Sequence, residues 1–255
     1  MPNKKDVVPQ LNATIAALHK MGGIYVDDPS SSAKFARRTR RMTTDIYDIL
    51  RQEILYLTRQ PGSQINENQI CHDLQVSRTP VREAILKLQD EGLVEIFPQS
   101  GTRVAPISLA GLPDIVFYRA ALESQSVRDL VSVITTDKIK DLHKIIDEQE
   151  YHARHLDHEK FHLSDEKFHE SLLIMAKRQQ IWKAINREKA DLDRFRMLTL
   201  PIFGRMMEVA QDHRNIINSI ESKDVDGSAE MLKNHLENVL DVVNLIKEQH
   251  KPLVL

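Results

Sequence analysis

Apolar residues recur at helical spacing along most of the chain, most clearly over residues 77–93. Val81, Ala84, Ile85 and Leu88 stand at i, i+3, i+4 and i+7, a single apolar stripe. Arg78 and Arg82 lie off that stripe a turn apart, with Ser77 and Thr79 at its start. Ser77 or Thr79 can cap this helix, Pro80 is tolerated in its first turn, and Gly92 ends it. Upstream, Thr43 or Thr44 is expected to cap a helix with Ile46, Tyr47, Leu50, Ile54 and Leu57 inside, stopped by Pro61-Gly62. Asn66 caps a second short helix that gathers Glu67, Ile70, Cys71 and Leu74 on one side, and Gln75-Val76 turns into the third. Beyond Gly92 two short strands are expected near residues 94–97 and 102–106, joined by Pro98-Gln99-Ser100-Gly101. Three helices followed by a β-hairpin predict a winged helix-turn-helix.

After Pro106-Ile107 the periodicity is helical to the end. Breaks near Thr135-Thr136, residues 155–157, Leu200-Pro201 and residues 222–227 divide this part into roughly six helices, enough to enclose a core and a cavity. The predicted fold is mainly α: an N-terminal winged helix-turn-helix over residues 42–106 and an all-helical bundle over 107–255. Residues 1–41 read as a flexible extension. Within them 11–21 can form a short helix, and Gly22-Gly23, Pro29 and Ser30-Ser31-Ser32 then break the pattern. Lys34, Arg37, Arg38, Arg40 and Arg41 make its end basic, either a solvated tail or an arm along DNA phosphates.

Composition sharpens this picture in three ways. Charged residues make up 28% of the 255, aromatics only 5%, and there are 8 glycines, a balance that favours helices. A net charge of −2 requires any nucleic-acid site to be a local patch. The single Cys71 excludes an internal disulfide and agrees with a reducing, cytoplasmic setting. No apolar run reaches the length of a membrane span, and the N-terminus lacks an apolar signal core.

The helix over 77–93 carries the first candidate chemistry. A helix N-terminus attracts phosphate, hydroxyls bond backbone or bases, and Arg can pair bidentately with guanine. The second candidate lies in the bundle. Asp165 and His169 are four apart, on the same face as Phe161, Phe168, Leu172 and Ala176. His213 sits among Val209, Ala210, Ile216, Ile217 and Ile220; His235 among Ala229, Leu232, Leu236 and Val239. A lone histidine on an apolar stripe is ordinarily a hydrogen-bonded core residue. One Asp and three His, all pointing inward, form a donor set suited to Zn²⁺ or Ni²⁺, with up to two positions left open on an octahedral ion. His152, His155, His158 and His162 fall at or beyond the edge of the apolar face and read as solvated, His162 being the nearest rival to His169. Arg119 is either an i, i+4 partner of Glu123 or a contact for an effector carboxylate.

Pro61-Gly62, Ile65-Asn66-Glu67, Val76-Ser77-Arg78-Thr79-Pro80-Val81-Arg82-Glu83-Ala84, Glu91-Gly92-Leu93-Val94 and Gly101-x-x-Val104 follow in order and closely resemble the DNA-binding domain of GntR-type bacterial transcription regulators. The resemblance implies that Ser77, Arg78, Thr79 and Arg82 face DNA and that Gln99, Ser100 and Gly101 form a wing tip reaching the minor groove. Gln75 stands where this family usually has Gly, Cys71 where Ala is common, and Ser100 where the wing often has a basic residue. Arg119-x-x-Leu122-Glu123, Asp165-x-x-Phe168-His169-x-x-Leu172, and His213-x-x-Ile216 through Met231-x-x-Asn234-His235-Leu236 resemble the FCD ligand-binding domain of the FadR subfamily. In metal-containing members the positions of Asp165, His169, His213 and His235 hold the ion; Arg178 replaces a common Asn. The expected protein is a homodimeric, non-enzymatic DNA-binding regulator, on the family pattern a repressor. Its affinity for a double-stranded operator would respond to a small organic acid bound at the metal and Arg119. A regulator whose signal is the metal itself, and a metal-dependent enzyme that activates water, are the alternatives.

Overall fold

The computed structural model describes residues 30–255, residues 30–39 by their backbone alone; the helix expected over 11–21 lies outside them. The chain divides into two compact units. Among the described residues, one holds the part up to Ile49 with Asn66–Lys87, the other Leu50–Ile65 with Leu88–Leu255.

Helix α1 spans Ser30–Leu55, so the last part of the expected flexible extension, basic run included, is helical. Thr43 and Thr44 are interior to it and cap nothing. The buried Thr43 hydroxyl donates to Glu83 Oε2 at 2.8 Å, and Thr44 donates back to the Arg40 carbonyl at 3.0 Å. The physical reason is that no Gly or Pro interrupts 30–55, and the Ala, Lys and Arg before Thr43 are good helix formers; a possible cap does not force a start. Helix α2 (Glu67–Asp73) is capped as expected, Asn66 accepting from the Gln69 amide at 3.1 Å. Cys71 is half-buried on it. Gln75 does take the left-handed conformation (φ 53°) that a glycine would adopt freely, and its side chain donates to the His72 carbonyl at 2.7 Å. Helix α3 (Arg78–Asp90) buries Val81, Ala84, Ile85 and Leu88.

In the second unit α1 ends at Leu55, ahead of Pro61-Gly62, and Leu57 turns the chain with φ 59°. Three short strands, β1 (Gln64–Ile65), β2 (Val94–Phe97) and β3 (Gly101–Val104), form an antiparallel sheet ordered β1-β3-β2. Val94 faces Val104 and Ile65 faces Thr102. A two-residue strand such as β1 is too short to show alternation in sequence. β3 stops at Val104, before the expected residue 106, because the Ala105 amide turns to the Leu93 carbonyl at 3.0 Å.

The bundle comprises α4 (Leu112–Val131), α5 (Thr136–Arg154), α6 (His158–Met175), α7 (Gln179–Glu188), α8 (Ala190–Thr199), α9 (Arg205–Glu221), α10 (Val225–Glu237), a 3-10 turn (Asn238–Val242) and α11 (Val243–Gln249). Three expected breaks carry real caps: Thr135, Asp157 and Asp224 each accept from the amide three residues on. The bundle is more finely divided than six helices. Lys177 takes φ 60° before α7, and α7 and α8 meet at Lys189, where no Gly or Pro marks the break. The main core draws Leu130, Leu142, Phe168, Leu172, Ile216 and Leu232 from α4, α5, α6, α9 and α10. A second core joins Phe195 of α8 to Ile107, Leu112, Ile246 and Val254. No described helix is long and apolar enough to cross a membrane.

Candidate metal and effector centre

The bundle brings Asp165, His169, His213 and His235 together. Asp165 and His169 project from adjacent turns of α6, His213 from α9 and His235 from α10, and all are buried. His169 Nε2 lies 3.9 Å from Asp165 Oδ2, and His213 Nε2 lies 3.8 Å from Asp165 Oδ1. His213 Nε2 is 3.0 Å from His235 Nε2, and donor atoms of the three histidines all fall within 4.8 Å of one another.

The outer side of each ring decides what the inner side offers. His169 Nδ1 is 2.8 Å from Glu123 Oε2, His213 Nδ1 2.8 Å from Gln149 Oε1, and His235 Nδ1 3.3 Å from Asp212 Oδ2. These oxygens accept, so each ring carries its proton on Nδ1 and turns an Nε2 lone pair inward. Burial, then the neighbouring His235, pushes His213 well below the usual imidazole range, and burial lowers His235 as well, which keeps both rings neutral. Two lone pairs facing at 3.0 Å repel unless a cation lies between them. Two nitrogens bound to one ion at about 2.1 Å and at right angles to each other stand about 3 Å apart, so the spacing fits. His169 Nε2 has no hydrogen-bond partner, as a ligand waiting for an ion would not.

Besides Gln149 and Asp212, two further residues that sequence reasoning did not single out as parts of the centre complete it. Glu123, seen only as a partner of Arg119, joins that residue to His169. Arg119 is 1% exposed, its Nε donates to Glu123 Oε1 at 2.6 Å, and its Nη2 has no partner. Burial would raise the Glu123 carboxyl, but Arg119 and then His169 lower it to about 2. Arg196 of α8 forms an ion pair with Asp165 Oδ2. Burial opposes ionisation of Asp165 too, and the Arg196 guanidinium outweighs it, holding the carboxyl well below its ordinary range. Nothing in the local pattern separates Arg196 from a solvated arginine; its neighbours come from α6. Arg119, His169, Arg196, Thr199, Arg205 and His235 line a pocket beside the cluster.

One expectation is corrected. His162 is buried, beside Glu166 and Asp193, because α6 is covered by α8 on that flank as well as by the core. His155 is exposed, while His152 and His158 are half-buried. Arg178 precedes α7 without capping it and donates to Asp129 Oδ2 at 2.7 Å.

In the first unit Ser77, Arg78, Thr79 and Arg82 are exposed around the start of α3. Arg82 Nε lies 3.2 Å from Glu67 Oε2 of α2. In the second, Gln99 (φ 64°), Ser100 and Gly101 (φ 91°) form the exposed turn between β2 and β3.

Residues 42–104 match bacterial regulatory proteins of the gntR family, and residues 114–238 match the FCD domain. The chain is 33% identical over 215 residues to an HTH-type transcriptional regulator in an unstable DNA locus of Streptomyces ambofaciens, covering 84% of this chain and 89% of that protein. It is 29% identical over 212 residues to the HTH-type transcriptional repressor RspR of Escherichia coli K12, covering 83% and 93%. The fold is that of E. coli McbR/YncC, with a TM-score of 0.69 at 16% identity, covering 80% of this chain and 97% of that one. An exposed helix in a helix-turn-helix with a wing, joined in one chain to an FCD bundle, places this protein in the GntR family of bacterial DNA-binding transcription regulators.

Proposed function

We propose that this regulator is a homodimeric repressor whose operator affinity is set by a small carboxylate effector, bound where a divalent ion meets Arg119. Asp165, His169, His213 and His235 would hold the ion, Zn²⁺ or Ni²⁺. The observation that carries this reading is the inward convergence of three Nε2 lone pairs, each fixed by an oxygen on Nδ1. When bound, the ion supplies Lewis-acid positions to which a carboxylate oxygen can bind. Arg119 Nη2, buried and without a partner at the pocket wall, supplies a charge-assisted bond to the same ligand. That idle donor favours an organic acid over a signal from the metal alone.

On DNA, Arg78 and Arg82 read base edges, Ser77 and Thr79 contact the backbone, and Gln99, Ser100 and Gly101 form the wing tip. The name of the RspR relative, a repressor, supports the sign assigned here. An effector changes DNA affinity only by binding one arrangement of the protein better than another, and a coupling of about 1–3 kcal/mol weakens operator binding roughly 5–150-fold. The experiment sets a panel of organic acids against operator binding by the wild type and His213→Ala. An acid should release the wild type and leave the metal-depleted variant bound. Equal release of both would make the ion structural and defeat the mechanism.

A further inference from the structure

Helix α8 and the Lys189 that precedes it carry four buried charges, Lys189, Asp193, Arg194 and Arg196. Buried charges persist only with partners, and these reach in three directions. Toward the pocket, Arg196 pairs with Asp165, and its Nη1 lies 3.5 Å from Glu166 Oε1. Toward the wing, Arg194 Nη1 donates to the Ala105 carbonyl at 2.7 Å and Nη2 to the Pro106 carbonyl at 3.2 Å. These carbonyls follow directly on β3. Toward the first helix, Asp193 Oδ1 lies 4.0 Å from His162 Nε2, and the His162 ring meets the Tyr56 ring edge-on at 5.8 Å and 81°. Tyr56 follows directly on α1. The grouping of His162, Glu166 and Asp193 is no second metal site, because the Lys189 ammonium already lies 2.5 Å from Asp193 Oδ2 and pairs with Glu166.

We propose that α8 is the transmission element of the regulator: Arg196 registers occupancy of the metal and effector pocket, and Arg194 and Asp193 carry the change to the segments just after the wing and just after α1. The inference rests on the metal reading above and adds the route by which that site acts. An ion that draws on Asp165 competes with Arg196 for the same carboxylate, and Arg196, only 8% exposed, has little room to shift apart from the helix that bears it. A ten-residue helix is short enough to shift as one body, and Phe195 fixes its inner face in the second core. The end of the wing thus bonds α8 directly through Arg194, and the foot of α1 meets it through His162 of α6. A route of this kind is established only when both ends respond to the same event.

Hydrogen exchange of the full-length protein with and without Zn²⁺ tests this. Zn²⁺ should slow exchange in peptides around His169 and His213 and change it severalfold in peptides around Tyr56 and Ala105. Arg194→Met should keep the response at the ligands and at Tyr56 and lose it at Ala105; Tyr56→Ala should lose only the response near residue 56. Response at the ligands with silence at both segments in the wild type overturns the transmission role and leaves the metal reading standing. Silence everywhere overturns the metal reading, and this inference with it. The wild-type measurement decides even if either variant fails to fold.

Discussion

A single residue illustrates how the centre is built. Gln149 is buried on α5, accepts a hydrogen bond from His213 Nδ1 at 2.8 Å, and donates its own amide toward Asp165 Oδ1 at 3.4 Å. It thereby sets the tautomer of His213 and steadies Asp165, two of the proposed ligands. Gln149→Leu should leave the bundle folded, since Leu suits a buried helix position, yet weaken Zn²⁺ affinity roughly 10–100-fold, the usual scale for outer partners of metal ligands. Competition with a chelating dye measures it, and unchanged affinity would remove Gln149 from the centre. This also marks how far the residues were legible in sequence. Asp165, His169, His213 and His235 stood out because each breaks an apolar stripe, a signal local to its own helix. Gln149, Asp212 and Arg196 are polar residues that earn their roles from partners 16 to 64 positions away. His162 was misread for the same reason, since α8 buries a flank that looks solvent-facing from its own helix.

At the scale of elements, helix α3 was the most legible piece. Its buried stripe and exposed N-terminal polar face are both encoded within thirteen residues. The start of α1 was not legible, because caps permit a helix boundary and only Gly or Pro enforces one; β1 and the junction at Lys189 were lost to shortness and to the lack of a breaker. The exposed face of α3 yields the next prediction. Arg82 is held beside Glu67 at 3.2 Å, an exposed pair worth little to stability. Arg82→Ala should therefore leave thermal stability nearly unchanged. It should cost about 1–3 kcal/mol in specific operator binding if Arg82 pairs with a guanine, while non-specific DNA binding falls far less. Titration of the variant on operator and on unrelated DNA separates the two. Equal losses on both would reassign Arg82 to the phosphates.

For the molecule as a whole, the net charge of −2 argues against a general attraction to DNA, so affinity has to come from local faces, the ones proposed here being α3 and the wing. One recognition helix reads only a few base pairs, and the proposed homodimer gains its affinity by presenting two at once. Two linked contacts add their free energies only when both half-sites face the protein, so the spacing between them is fixed to about one helical turn, 10–10.5 base pairs, or a multiple of it. Inserting about 5 base pairs between the half-sites turns one of them to the opposite side of the duplex, while inserting about 10 restores its face. Binding to the half-turn operator should fall to the level of a single half-site, and the full-turn operator should recover part of the loss. Gel-shift titration on the three spacings, with the mass of the free protein measured by light scattering, checks both parts. A protein that binds all three spacings alike, or that is monomeric at the concentrations where it binds, would show that one helix-turn-helix suffices and would remove the dimer from the mechanism.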